Sequence, residues 1–265
     1  MADPKKTFTD PLVRNTIFPE PGPLFEFAPV SLDEALKDGI VAVDTNALLV
    51  PYTTGPASID QISRTYDKLT KEDRLRIPGQ VAREFADNRA QQIKALFQLI
   101  SQKRNFSPNL ARYPLLEGNK SYDALIECEK KIDALLKEYR KHVGTVLEHI
   151  QSWQWNDPVS NIYREFFKAP LIVDPPIEEE QLLDDLKYRR EHRIPPGYKD
   201  AGKEDMGIGD LLIWNALLLI GRKEQRHLIF VSGEEKPDWR YQSENQTLYP
   251  RSTNTDAPPE AKPST

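Results

Sequence analysis

The stretch from Gly39 to Leu49, GIVAVDTNALL, constrains this chain more than any other. A run rich in valine and isoleucine stops at Asp44, Thr45 and Asn46, and apolar residues resume at once in Ala47, Leu48 and Leu49. That order reads as a buried strand, a polar turn and the start of a helix. In open α/β sheets ligands bind in the crevice beyond the carboxyl ends of the strands, so a carboxylate placed there is a candidate working group.

The flanking segments fit around such a strand. Six of the 22 prolines (Pro4, Pro11, Pro19, Pro21, Pro23 and Pro29) fall before Ser31, so residues 1–38 read as an extended arm followed by a short helix, SLDEALKDG, capped by Ser31. Further on, a helix is expected over about 58–69, a short strand in RLRIP, and a long helix opening at Pro78 with GQVAREFADNRAQQIKALFQLISQ. Beyond a breaker region at 105–119, Leu125, Cys128, Ile132, Leu135, Tyr139, Val143, Val146 and Ile150 keep three-and-four spacing over about seven helical turns. Two long helices joined by a loop predict an antiparallel hairpin inserted at about 88–151, an arm that either supports the fold or meets a partner protein. LIVD (171–174) is a candidate strand. EEEQLLDDLKYRREHR reads as a helix, acidic at its start and basic at its end, Leu211 to Ile220 as a buried helix, and HLIFVS as the last clear strand. The main domain is thus expected over 39–240, and the polar, proline-bearing 241–265 is expected to be disordered.

Composition narrows the functional classes. The 265 residues are enough for one sizeable core with an insertion. A net charge of −5 and a pI near 5.6 leave no global basic footprint for nonspecific duplex binding. The single cysteine, Cys128, excludes an intrachain disulfide and a cysteine-built zinc site, which suits a reducing, cytoplasmic setting. MADPKKTFTDP lacks the apolar centre of a signal peptide, and Leu211 to Ile220 is too short to span a bilayer, so a soluble chain without membrane contact is expected.

Four places put carboxylates at the ends of elements: Asp44 after the first strand, Glu84 in the first turns of the Pro78 helix, Asp210 before the leucine-rich run, and Glu234 with Glu235 after the last strand. Parallel strands would return these to one edge of the sheet. Clustered carboxylates repel unless a cation compensates, and Mg²⁺ or Mn²⁺ takes oxygen ligands, keeps several waters and needs only a few protein carboxylates. Such a site polarises a phosphoryl oxygen and activates water, which suits phosphodiester hydrolysis without a Ser, His or Cys nucleophile. Each acid also has a plainer reading, Asp44 and Asp210 as helix caps, Glu84 as an acid favoured in a first turn, Glu234 and Glu235 as a solvated turn. Only their combination points to chemistry. His142 and His149 read as a solvated face, Trp214 and Trp239 as core, and the basic run from Lys187 to Arg193 as a helix end that could also meet phosphate.

VDTNALL, IPGQVAREFADNR, RIPPGYKDAGK, GDLLIW and IFVSGEEKPDW, in that order from about Gly39 to Trp239, resemble the PIN-like domains of bacterial proteins, within the wider PIN nuclease superfamily. The resemblance implies a three-layer α/β/α fold with a mainly parallel sheet and a metal-dependent ribonuclease-type site. By position it implies that Asp44, Glu84 and Asp210 are the first three catalytic, metal-holding acids and Glu234 the more variable fourth, with Asn46 and Ser232 as supporting groups. Asn88 and Arg89 match the pattern after the second acid, and Tyr198, Asp200 and Lys203 match a loop signature; Asn88, Arg89 and Lys203 are the implied substrate contacts. Two departures stand out. Ser232, Gly233 and Glu234 occupy the place where the family usually shows Thr-Asp-Asp, and LYPR at 248–251 resembles the start of a further family segment that a polar tail follows.

The leading expectation is a Mg²⁺- or Mn²⁺-dependent endoribonuclease that cuts single-stranded RNA by in-line attack of a metal-activated water. The rival is a PIN-like scaffold that binds RNA or protein without cutting, with the hairpin as its partner arm. A phosphatase of the Asp-x-Asp type is disfavoured, because Asn46 stands where the second Asp belongs.

Overall fold

The valine-rich stretch becomes an inner strand of a parallel sheet. A computed structural model describes residues 11–18, 21–22, 25, 30–106, 112–198, 207–233, 240–243 and 246–250, the last two ranges as backbone. Strands β1 (Ile40–Val43), β2 (Leu75–Pro78), β3 (Ile172–Val173) and β4 (Leu228–Val231) run parallel in the order β3-β2-β1-β4. Val41 lies opposite Leu75 on one side and Ile229 on the other. All four residues of β1 are buried, as a strand covered on both faces requires. From β1 the chain steps outward to β2 and β3, then returns to place β4 on the far side of β1. The order therefore reverses between β1 and β4, the position where α/β sheets open a ligand crevice.

The α-helices of the described residues are α1 (Val13–Ile17), α2 (Leu32–Asp38), α3 (Thr45–Leu49), α4 (Pro56–Lys71), α5 (Gly79–Gln102), α6 (Lys120–Gln151), α7 (Pro158–Phe166), α8 (Glu179–His192) and α9 (Ile208–Glu224), and helices of 1–86 and 164–265 flank the sheet in a three-layer α/β/α architecture. The N-terminal arm is not wholly extended: α1 forms within it, with Val13 buried. Ser31 caps α2 as its position foretells, its Oγ accepting from the Glu34 amide at 3.2 Å. The leucine-rich run is the buried helix α9, which packs against β2, β3 and β4; its Leu211, Ile213, Leu217 and Ile220 are buried, Leu211 in a cluster with Leu182 and Leu186.

The amino-terminal edge of the sheet is stapled by arginines. Arg74 donates to the carbonyls of Gly39 (2.8 Å) and Leu36 (2.7 Å) and pairs with Glu72 (2.9 Å). Arg76 pairs with Glu224 (2.7 Å) and Asp73 (2.9 Å). Beyond the sheet, β5 (Arg240–Ser243) and β6 (Gln246–Pro250) pair antiparallel, so residues 241–243 and 246–250 of the tail expected to be disordered lie in strands. The β-forming residues of RYQS and QTLYP outweigh the polar composition there.

Residues 87–163 form a compact unit of their own, apart from 1–86 with 164–265. The unit is larger than the expected insertion because the stretch through Tyr163 packs within it. Its inward stripe on α6 is Tyr122, Leu136, Val143, Leu147 and Ile150. Of the stripe expected from spacing, only Val143 and Ile150 are inside, while Leu125, Ile132, Leu135, Tyr139 and Val146 are exposed. The helix carries two neighbouring apolar stripes, and a single packing face accommodates one of them.

Candidate active site

Asp44 stands at the end of β1 and caps α3, its Oδ1 accepting from the Thr45 amide at 2.7 Å. Across the strand-order reversal, Ser232 follows β4 and donates from Oγ to Asp44 Oδ2 at 2.5 Å. The amide of Gly233 donates to Asn46 Oδ1 at 3.0 Å, so both strand ends are tied together by side chains of the DTN turn. Thr45 is buried, and its Oγ1 donates to Glu84 Oε2 at 2.6 Å; Gln80, one turn back on α5, donates to Glu84 Oε1 at 3.1 Å. A single buried threonine thus links the first acid to the second. Sequence reasoning passed over Thr45 and Gln80, although a hydroxyl beside a strand-end acid and an amide four residues before a helix acid are the available signals.

Asp210 lies in the first turn of α9, half-buried. Its Cβ would stand 3.8 Å from a Cβ built on Gly197. Among the described residues no three His, Cys, Asp or Glu side chains come close enough together to hold a metal ion, so the expected trio of Asp44, Glu84 and Asp210 is not a closed ligand set there. Glu234, Asp200 and Lys203 lie outside the described residues. Tyr198 is half-buried and Asn88 exposed.

The arginine expected to meet substrate is built into the helical unit instead. Arg89 is buried; its Nε and Nη2 both donate to Asp157 Oδ2 (2.9 and 2.7 Å), Nε also donates to Ser160 Oγ (2.8 Å), and Nη2 donates to the Gln154 carbonyl. Its guanidinium lies 4.5 Å from the centre of the Trp155 ring. A guanidinium so occupied is a clasp. Within the basic run, Arg189 is likewise turned inward onto Asp185 and the Pro195 carbonyl, while Lys187 and Arg193 are exposed.

Another carboxylate ends a strand at the edge where Asp44 stands. Asp174 ends β3 as Asp44 ends β1, in LIVD against VAVD, yet Arg83 pairs with both of its oxygens. Hydrogen bonding to Asp174 holds the Arg83 pKa above its ordinary value.

The family model for the PIN like domain matches residues 40–253. The chain belongs to that family, a branch of a superfamily of nucleases whose members usually use divalent metals. The match takes in Leu248 to Arg251. Neither the curated proteins nor the solved structures contain a match to it. No helix among the described residues is long and apolar enough to cross a membrane.

Proposed function

We propose that this chain is a divalent-metal-dependent endonuclease whose substrate is single-stranded RNA. The observation that carries the reading is the pair of neutral donors on Asp44, the Thr45 amide and the Ser232 hydroxyl, at the strand-order reversal. A hydroxyl or amide orients a carboxylate without cancelling its charge, and a carboxylate offers about four lone-pair positions, so the two donors on Asp44 do not exhaust it. The donor set is all oxygen, and Mg²⁺ is commonly held by one or two carboxylates with waters and substrate phosphates, so Asp44 and Glu84 fit a hard cation without a closed cage. Asp210 and Glu234 are proposed as the further acids of the same site. When bound, the ion polarises a phosphoryl oxygen and makes hydroxide available near neutral pH.

The protein's own contribution is positional. Ser232 fixes the plane of Asp44, Thr45 fixes Glu84 relative to it, and Asn46 holds the Gly233 backbone in place. Asn88, Lys203, Lys187 and Arg193 are the proposed contacts to the RNA backbone, which position the strand without reading its sequence. The exposed free thiol of Cys128 suits a reducing compartment, and we assign the chain to the cytoplasm.

The test is cleavage of end-labelled single-stranded RNA and DNA with Mn²⁺ by the native chain and by Asp44→Asn and Asp210→Asn. Cutting of RNA by the native chain alone supports the proposal. Equal cutting by all three proteins, or none by any, overturns it. A second reading, a scaffold that binds RNA without cutting, is favoured by Gly233 in place of an acid; retained RNA binding with no cleavage in any metal would establish it.

A further inference from the structure

The exposed stripe on α6 has the spacing of a coiled-coil seam. Leu125, Cys128, Ile132, Leu135 and Tyr139 follow one another at three, four, three and four residues, and His142 and Val146 continue the interval through a third heptad. The five apolar members other than Cys128 are between 39% and 64% exposed, and Cys128 is exposed as well. This is a face distinct from the inward stripe of Tyr122, Leu136, Val143, Leu147 and Ile150. Ion pairs Glu127–Lys130 and Asp133–Lys137 keep the outermost positions polar. A three-four apolar repeat that its own fold leaves uncovered is the mark of a helix awaiting another helix. An open groove lined by Leu99, Phe106 and Tyr139 together with Gln102, Lys103 and Asn105 adjoins the stripe at Tyr139.

We propose that α6 pairs with α6 of a second copy of this chain, antiparallel, around a two-fold axis between Ile132 and Leu135. The charges beside the seam choose both the partner and the direction. Lys131 and Glu138, the latter 3.7 Å from His142 one turn on, are the charged residues on the free flank, seven apart, and the opposite flank is the half-buried Glu129 with Leu136 and Val143, these two already buried within the unit. Parallel helices would face Lys131 towards the partner's Leu136 and Glu138 towards the partner's Val143, with no charge matched. In the antiparallel pair Ile132 meets the partner's Leu135, Tyr139 meets the partner's Cys128, and Lys131 lies beside the partner's Glu138 on both sides of the axis. A two-fold contact of this kind uses the same patch twice and closes on itself. In this register Leu125 meets the partner's His142, so the paired seam runs from Leu125 to His142, about 27 Å at 1.5 Å per residue.

Sedimentation equilibrium of the full chain tests the pairing, independently of the nuclease reading. The native chain is expected to dimerise. Leu135→Lys, at an exposed position and checked for unchanged helicity by circular dichroism, is expected to raise the dissociation constant roughly a hundredfold, since one buried leucine is lost from each copy. Lys131→Glu is expected to weaken the dimer, and Lys131→Glu with Glu138→Lys to restore it. Tyr139→Cys beside native Cys128, oxidised with copper phenanthroline, is expected to give a disulfide-linked dimer. A native chain that stays monomeric at every concentration, or a dimer indifferent to Leu135→Lys, overturns the proposal. Efficient Cys128-to-Cys128 linkage in the native chain overturns the antiparallel direction.

Discussion

The two edges of the parallel sheet treat charge in opposite ways. At the amino-terminal edge each buried arginine is matched by acids: Arg74 with Glu72, Arg76 with Asp73 and Glu224. Burial works against the charge on Arg76, but the hydrogen bonds and charges of Asp73 and Glu224 outweigh it and hold its pKa above the ordinary arginine value. At the carboxyl-terminal edge, by contrast, Asp44 is held by the Thr45 amide and the Ser232 hydroxyl. Asp174 marks the boundary between these styles, since it shares the second edge yet is matched by Arg83 in the manner of the first. A matched charge closes a structure. An acid oriented by neutral donors retains its attraction for a cation, so the second edge is where chemistry is expected.

The comparison breaks first at Asp44. Asp44→Asn is expected to lower RNA cleavage about a thousandfold, on the order of 4 kcal/mol of transition-state stabilisation, while Asn still caps α3 and keeps the melting temperature near native. Single-turnover cleavage with a thermal melt would check both halves; unfolding of the variant would make Asp44 a staple like the arginines. Gly39→Ala attacks the other edge, where a Cβ would meet the Ala35 carbonyl oxygen at 2.3 Å and the His227 oxygen at 3.0 Å. Because both obstacles are backbone, the expected cost is about 3 kcal/mol in urea unfolding, with unchanged cleavage per folded molecule. Arg76→Met should cost less, about 2 kcal/mol by the same measurement, because Asp73 is largely solvated and Glu224 partly so. Ser232→Ala removes one hydrogen bond from Asp44, and cleavage should fall about tenfold with a stability loss of about 1 kcal/mol. Gly233→Ala sharpens the contrast with Gly39, since its Cβ would find only ordinary contact with Asn46 at 3.6 Å; a change in stability of less than about 0.5 kcal/mol is expected.

Much of this was legible in local sequence. GIVAVDTNALL reads as strand, cap and helix because burial on both faces, a capping aspartate and resumed apolarity are properties of adjacent residues, and the structure has that order in β1 and α3. The two long helices and the buried leucine-rich helix were equally readable from period. The choice between the two stripes of α6 was not, because Leu135 and Leu136 are chemically alike and only the packing decides which one is covered. Arg89 was misjudged for a related reason: a basic residue beside an expected site suggests phosphate, and nothing nearby in the chain announces that Asp157, 68 positions on, receives it.

What sequence alone determined, then, is the strand and turn that present Asp44, and the order in which the other acids appear. Tertiary structure decided which acids are matched. VAVD and LIVD end in the same way, but Arg83 reaches Asp174, whereas Ser232, 188 residues along the chain, reaches Asp44. Hydrogen bonds between distant residues depend on which strands become neighbours, and that follows from the packing of the whole sheet rather than from any stretch read by itself.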